Sequence, residues 1–149
     1  MSREAERLTY AGDALIRQFT IDGELTAKHG AIDVTEFECV KRNTLNAYNK
    51  IYGGLPPMKC RNIKVEVKFY LHYPSNTTKR RYMMGLDYRP INRCNMTKSI
   101  NGLCYALTGR AYNDVKQIVE LIVSKEYSRK TCIEVKVTEI LPESGVEFK

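Results

Sequence analysis

The sequence predicts an α+β fold: a single domain in the order β-α-β-α-β-β, built on a mixed sheet. Three observations predict it. Ile63, Val65, Val67, Phe69, Leu71 and Tyr73 alternate with Lys64, Glu66, Lys68, Tyr70 and His72, the period of a strand with one dry face. Ile100, Leu103, Cys104 and Leu107 recur at the i, i+3, i+4, i+7 spacing of a buried helical stripe. The remaining elements follow one another without an internal repeat or a linker, so one core suffices for 149 residues.

Taken in order, residues 1–14 form an arm or a short leading helix, with Ala5, Leu8, Ala11 and Leu15 at helical spacing. Leu15 to Ile21 alternates as a strand, and Asp22-Gly23 turns it. Residues 24–33 cross to a helix opened by a Thr35–Glu38 capping box, running to about Tyr52 with Phe37, Val40, Ala47 and Ile51 on its buried face. Gly53-Gly54 stops it and Pro56-Pro57 prevents a restart. The second strand ends at Pro74. The second helix starts near Asn95 or Thr97 and is closed by Gly109. Gln117 to Val123 is apolar enough to predict a central strand. After a turn over Tyr127–Lys130, Ile133, Val135 and Val137 mark the last strand, and the chain from Pro142 is a tail. The domain is expected over 15–141.

Hydrophobic content of 43% and charged content of 28% are those of a soluble globular protein. No apolar run is long enough to span a bilayer, and the N-terminus has no apolar core of a signal peptide, so a cytoplasmic location without membrane contact is expected. The Asn76 and Asn95 sequons are then chance matches. Five cysteines, Cys39, Cys60, Cys94, Cys104 and Cys132, form no CxxC pair and read as reduced thiols. His29 and His72 are too few for a histidine metal cluster, and no metal site is predicted; His72 falls on a strand's polar face. The net charge of +7 and the pI of about 9.2 favour an anionic partner, most simply nucleic acid. Positive charge concentrates in the 75–94 excursion, as Lys79, Arg80, Arg81, Arg89 and Arg93, with Lys98 just after it. These six are the candidate phosphate contacts.

Four strings in this order resemble the RusA-type Holliday junction resolvases of phages and prophages. RQFTIDGEL is similar to the family's opening strand, VEVKFYLHYP to the strand leading to its active-site loop, and IEVKVTEI to its closing strand. ALTGRAYNDVKQIVEL is similar to its D-A-L-x-G-x-x-Y-x-D-D-x-Q-I-x-x-L segment. The resemblance covers most of the chain and implies a homodimeric, magnesium-dependent endonuclease acting on branched DNA. Such chemistry needs carboxylates, because a hard cation takes oxygen ligands to hold water and the scissile phosphate.

The family's acids are missing here. Its D-x-D-N-L-x-x-K motif falls without a gap on Asn95 and Thr97. With a three-residue insertion it falls on Asn92 and Cys94, preserving Asn95. Either register loses both acids, and the second acid of the D-D pair is Val115. The expected function is therefore a RusA-like protein that binds branched or duplex DNA without cleaving it, and without a cofactor. One alternative is a scaffold reused to bind a host protein through Tyr82, Met83, Met84, Tyr88 and Met96, since tyrosine and methionine favour interfaces. The other is a nuclease with a rearranged magnesium site on Asp87, Asp114 and Glu120.

Overall fold

The computed structural model describes residues 9–11, 14–23, 34–60, 62–72 and 96–141, with the side chains of 9–11 and 34–39 left aside. The order is β1 (Thr9–Ala11), β2 (Ala14–Asp22), α1 (Val34–Tyr52), β3 (Ile63–His72), α2 (Met96–Leu107), a 3-10 turn (Val115–Gln117), β4 (Ile118–Ser128) and β5 (Cys132–Glu139). The strands form one mixed sheet in the order β1-β2-β5-β3-β4. The pairs β1/β2, β2/β5 and β5/β3 are antiparallel, whereas β3/β4 is parallel. A parallel neighbour needs a crossover, and the chain between β3 and β4 contains α2. The predicted α+β class with a mixed sheet is the observed one.

Strict alternation puts one face of β3 and β5 in the core. Ile63, Val65, Val67, Phe69, Leu71, Ile133, Val135 and Val137 are all buried. Phe19 and Ile21 continue this face onto β2, and α1 and α2 cover it with Val40, Tyr48, Tyr52, Leu103 and Leu107. The other face carries Gln18, Thr20, Lys64, Glu66, Lys68, Glu134 and Lys136, exposed or half-buried. Helices on one side and polar residues on the other make a two-layer domain.

Helix α1 begins at Val34, and the Thr35–Glu38 box lies among the side chains left aside. Its buried face differs from expectation: Ile51 is exposed, and the contact ladder is Val40, Thr44, Tyr48 and Tyr52. The i, i+4 row points at the sheet, and tyrosine can join it because its hydroxyl finds partners there. The Tyr52 hydroxyl accepts from Gln18 N at 2.7 Å and donates to Gln18 O at 2.9 Å, fastening α1 to β2. Gly54 at φ +89° ends the helix region, and Gly109 at φ +80° follows α2. Both are left-handed positions that glycine occupies without a Cβ penalty.

Two further departures concern the sheet's edges. Thr9–Ala11, expected as arm or helix, adds a short strand to β2. Strand β4, expected at the centre, pairs only with β3 among the described residues and is an edge. Its Val119, Leu121 and Ile122 are 55%, 48% and 52% exposed. The centre is held by β5 and β3. Apolar composition alone cannot say whether a second strand lies alongside.

Candidate nucleic-acid interface

The segment ALTGRAYNDVKQIVEL forms the connection from α2 into β4, and most of its distinctive residues hold that connection in place. Gly109 N–H donates to Tyr112 O at 2.7 Å, and Ala111 O accepts from Met58 N at 2.8 Å. The fully buried Tyr112 donates its hydroxyl proton to Cys104 O at 2.6 Å. Burial holds the Tyr112 hydroxyl well above its ordinary range and pushes the Cys104 thiol up to about 11. Asp114 caps the 3-10 turn: its Oδ1 accepts from Lys116 N at 2.9 Å. Gln117 Oε1 accepts from Asn113 N and Asp114 N, both at 2.8 Å, while its Nε2 donates to Cys60 O at 2.9 Å. Gln117 and Tyr112, which the sequence reading quoted only as part of the motif, thus hold this connection in position. Their signal is the polar residue kept at fixed spacing around a glycine turn.

Two of the positions that the resemblance sets against the family's acids lie among the described residues. Val115 is half-buried against the core, and Thr97 is exposed on the first turn of α2. Asp114 uses its carboxylate as a cap. Glu120 pairs in register with Lys64, on the polar face of the sheet away from the helices. Among the described residues no three His, Cys, Asp or Glu side chains gather into a possible ion site. Neither Val115 nor Thr97 brings a negative charge to a hard divalent cation, which takes several oxygen ligands with charge among them. Asp87, Asn92, Cys94 and Asn95 lie outside the described residues.

Of the six predicted phosphate contacts, Lys79, Arg80, Arg81, Arg89 and Arg93 also lie outside the described residues; Lys98 is exposed on the first turn of α2. Tyr82, Met83, Met84 and Tyr88 are likewise outside, and Met96 packs against the core rather than outward. The three described free cysteines are Cys60, Cys104 and Cys132, and His72 is exposed. No described helix is long and apolar enough to cross a membrane.

Charge divides between the two layers. On the polar sheet face Glu66 lies 3.9 Å from Lys64 and 4.0 Å from Lys136, and Glu134 adds a second acid beside them. The helical layer and its connections, over residues 40–60 and 96–117, carry Lys41, Arg42, Lys50, Lys59, Lys98, Arg110 and Lys116. Asp114 is the one acid in those segments.

Beneath that layer Arg17 is buried, 3% exposed, and among the described residues no carboxylate forms a salt bridge with it. Its Nη1 donates to the Tyr48 hydroxyl at 2.7 Å and its Nη2 to Pro56 O at 2.8 Å, and its guanidinium lies 5.9 Å from the Tyr52 ring centre. The Tyr48 hydroxyl in turn donates to Arg110 O at 3.2 Å. Burial pushes the Tyr48 hydroxyl up, and the Arg17 charge opposes the shift. Arg17 had no signal in the sequence beyond a cation on an alternating strand.

A family model described as endodeoxyribonuclease RusA matches residues 25–138. No curated protein matches the chain.

Proposed function

Because the chain belongs to the RusA endodeoxyribonuclease family, we propose that it binds branched or duplex DNA through phosphate contacts and does not cleave it. The observation that carries the reading is the charge asymmetry between the layers. Cations on the polar sheet face stand among acids, whereas the seven cations of residues 40–60 and 96–117 outnumber Asp114 there together with Glu36 and Glu38 at the start of α1. A surface with a surplus of cations attracts the DNA backbone without reading sequence. The helical layer then adds Lys41, Arg42, Lys50, Arg110 and Lys116 to the contacts expected from the 75–94 excursion and Lys98.

The lack of cleavage rests on the chemistry of the family positions. An amide, a hydroxyl or thiol, and the aliphatic Val115 supply no negative charge to hold a magnesium ion. Asp114 is occupied in a cap and Glu120 faces the other side of the sheet.

The test is a titration of a fluorescent four-way junction and its matching duplex at two salt concentrations, with and without magnesium. Salt-sensitive binding with intact DNA is the expected result. Cleavage that depends on magnesium and disappears in Asp114→Asn overturns the second half of the proposal. An absence of binding at low salt overturns the first half and favours a scaffold with a protein partner.

A further inference from the structure

We propose that the concavity between the C-terminal ends of α1 and α2 binds the dianionic phosphate group of a small phosphate monoester. This inference does not rest on DNA binding.

Two helix stops create the space. Helix α1 ends at Tyr52 and turns at Gly54, and α2 ends at Leu107 and turns at Gly109. A Cβ placed on either glycine would meet nothing within 4 Å, so the chain leaves both turns open. The resulting concavity holds about 240 Å³. The buried Tyr48 and Tyr52 line it, together with the exposed Asn49, Gly54, Pro56 and Arg110. Its volume falls just below the ~300–1,000 Å³ of pockets that take drug-sized molecules, which suits a small ligand.

The charge around it is positive. Arg110 stands exposed on the wall, and Arg17 is buried behind it. The Arg17 guanidinium is held by the wall itself, through the Tyr48 hydroxyl, the Pro56 carbonyl and the Tyr52 ring. Its Nε finds no hydrogen-bond partner among the described residues, and there neither arginine forms a salt bridge. A buried cation without a counter-charge is costly, and its field is weakly screened across a wall of low dielectric. Helix C-termini oppose an anion through their unsatisfied carbonyls. Here many of those carbonyls are taken. Asn49 O accepts from Gly53 N at 3.0 Å, Tyr52 O from Leu55 N at 3.1 Å, and Leu107 O from Arg110 N at 3.0 Å. Cys104 O accepts from the Tyr112 hydroxyl.

The donors select the ligand class. The Arg110 fork matches the oxygens of a phosphate, and the Asn49 amide can donate beside it. Two guanidiniums favour a dianion over a monoanion. A phosphate monoester carries about −1.5 to −2 charge at pH 7, whereas each phosphate of a DNA backbone carries a single charge. A duplex can meet Arg110 from outside; a terminal phosphate can enter the concavity and lie over the two tyrosines.

The experiment is isothermal titration calorimetry of the full chain, without DNA and at fixed ionic strength. The probes are inorganic phosphate, adenosine 5′-monophosphate and the diester dimethyl phosphate. Saturable binding of the first two with a Kd of about 1 mM or below is expected, with the diester at least roughly tenfold weaker. Arg110→Gln, at an exposed position, should keep the fold by circular dichroism and weaken both monoesters roughly tenfold, while Arg110→Lys should recover part of the loss. Lys64→Gln removes the same charge from the opposite face of the sheet and should change nothing. Absence of saturable binding overturns the proposal. So does equal affinity for dimethyl phosphate, or an equal loss in Lys64→Gln, which would make the attraction one of net charge alone.

Discussion

Strands β3 and β4 lie side by side in parallel register, and both are rich in Val, Ile and Leu, yet they live in different solvents. Every second residue of β3 is buried, Ile63 and Val65 completely, while Val119, Leu121 and Ile122 of β4 are about half exposed. The difference is one of neighbours. Strand β3 has β5 on one side, β4 on the other and two helices above one face; β4 has β3 alone among the described residues. The pattern of β3 is strictly alternating, the mark of a strand with one wet face. The run Ile118-Val119-Glu120-Leu121-Ile122-Val123 scarcely alternates, the mark of a strand to be covered on both faces. The folded chain supplies that cover only in part.

Substitutions sharpen the contrast. Phe69→Ala in β3 should cost about 3–5 kcal/mol in chemical denaturation, through lost burial and the cavity left behind. Leu121→Ala in β4 should cost well under half of that. Equal costs would break the comparison, because they would mean β4 is as enclosed as β3. Next in size is Tyr48→Phe, which removes the acceptor of the Arg17 Nη1–H bond and leaves a buried guanidinium short of a partner. A loss of about 1.5–3 kcal/mol is expected, the range for a hydrogen bond to a charged group.

Alkaline pH separates the enclosed region from the open one in another way. Cys104 and Tyr112 hold their protons more tightly folded than unfolded, because burial disfavours the anions. The folded state therefore binds more protons above the ordinary thiol value of 9.0, and stability should fall as pH rises from about 9 towards 11. Below that window these groups should contribute a constant amount. Denaturation midpoints at pH 7, 9, 10 and 11 read this directly, and the fall should shrink in a Cys104→Ala variant. The smallest effect is expected of Asp114→Ala, which removes the cap of the turn into β4 and should cost about 0.5–2 kcal/mol while leaving DNA affinity within twofold. A large loss of affinity would instead give Asp114 a part in binding.

Much of the domain could be read before the coordinates. The alternation of Ile63 to Leu71 and of Ile133 to Val137, the stripe of Leu103, Cys104 and Leu107, and the stops at Gly54 and Gly109 are local rules obeyed locally. The misreadings are all tertiary. Ile51 looked like a core residue and is exposed, because the sheet lies under the Tyr48–Tyr52 row. Strand β4 looked central because apolar composition alone does not say whether a second strand lies alongside. Arg17, on which the sequence reading made no separate claim, is buried, and its charge is met by a hydroxyl, a carbonyl and an aromatic ring supplied by α1 and its connection. The site was legible where a motif doubles as architecture: the glycine, tyrosine and glutamine of ALTGRAYNDVKQIVEL are the parts that fasten the turn. The charge asymmetry was not, since a strand's cations and a helix's cations look alike until their acidic neighbours are placed.

The most direct test of that asymmetry compares two triple variants for binding to a four-way junction across a series of salt concentrations. Lys41→Gln, Arg42→Gln and Arg110→Gln neutralise the helical layer; Lys64→Gln, Lys68→Gln and Lys136→Gln neutralise the polar sheet face. If the helical layer carries the phosphate contacts, the first variant loses affinity and its salt slope flattens by up to about one unit for each contact removed. The second variant keeps the slope of the original chain. A flattened slope in the second variant with an unchanged slope in the first would contradict the account and move the DNA to the opposite face of the sheet.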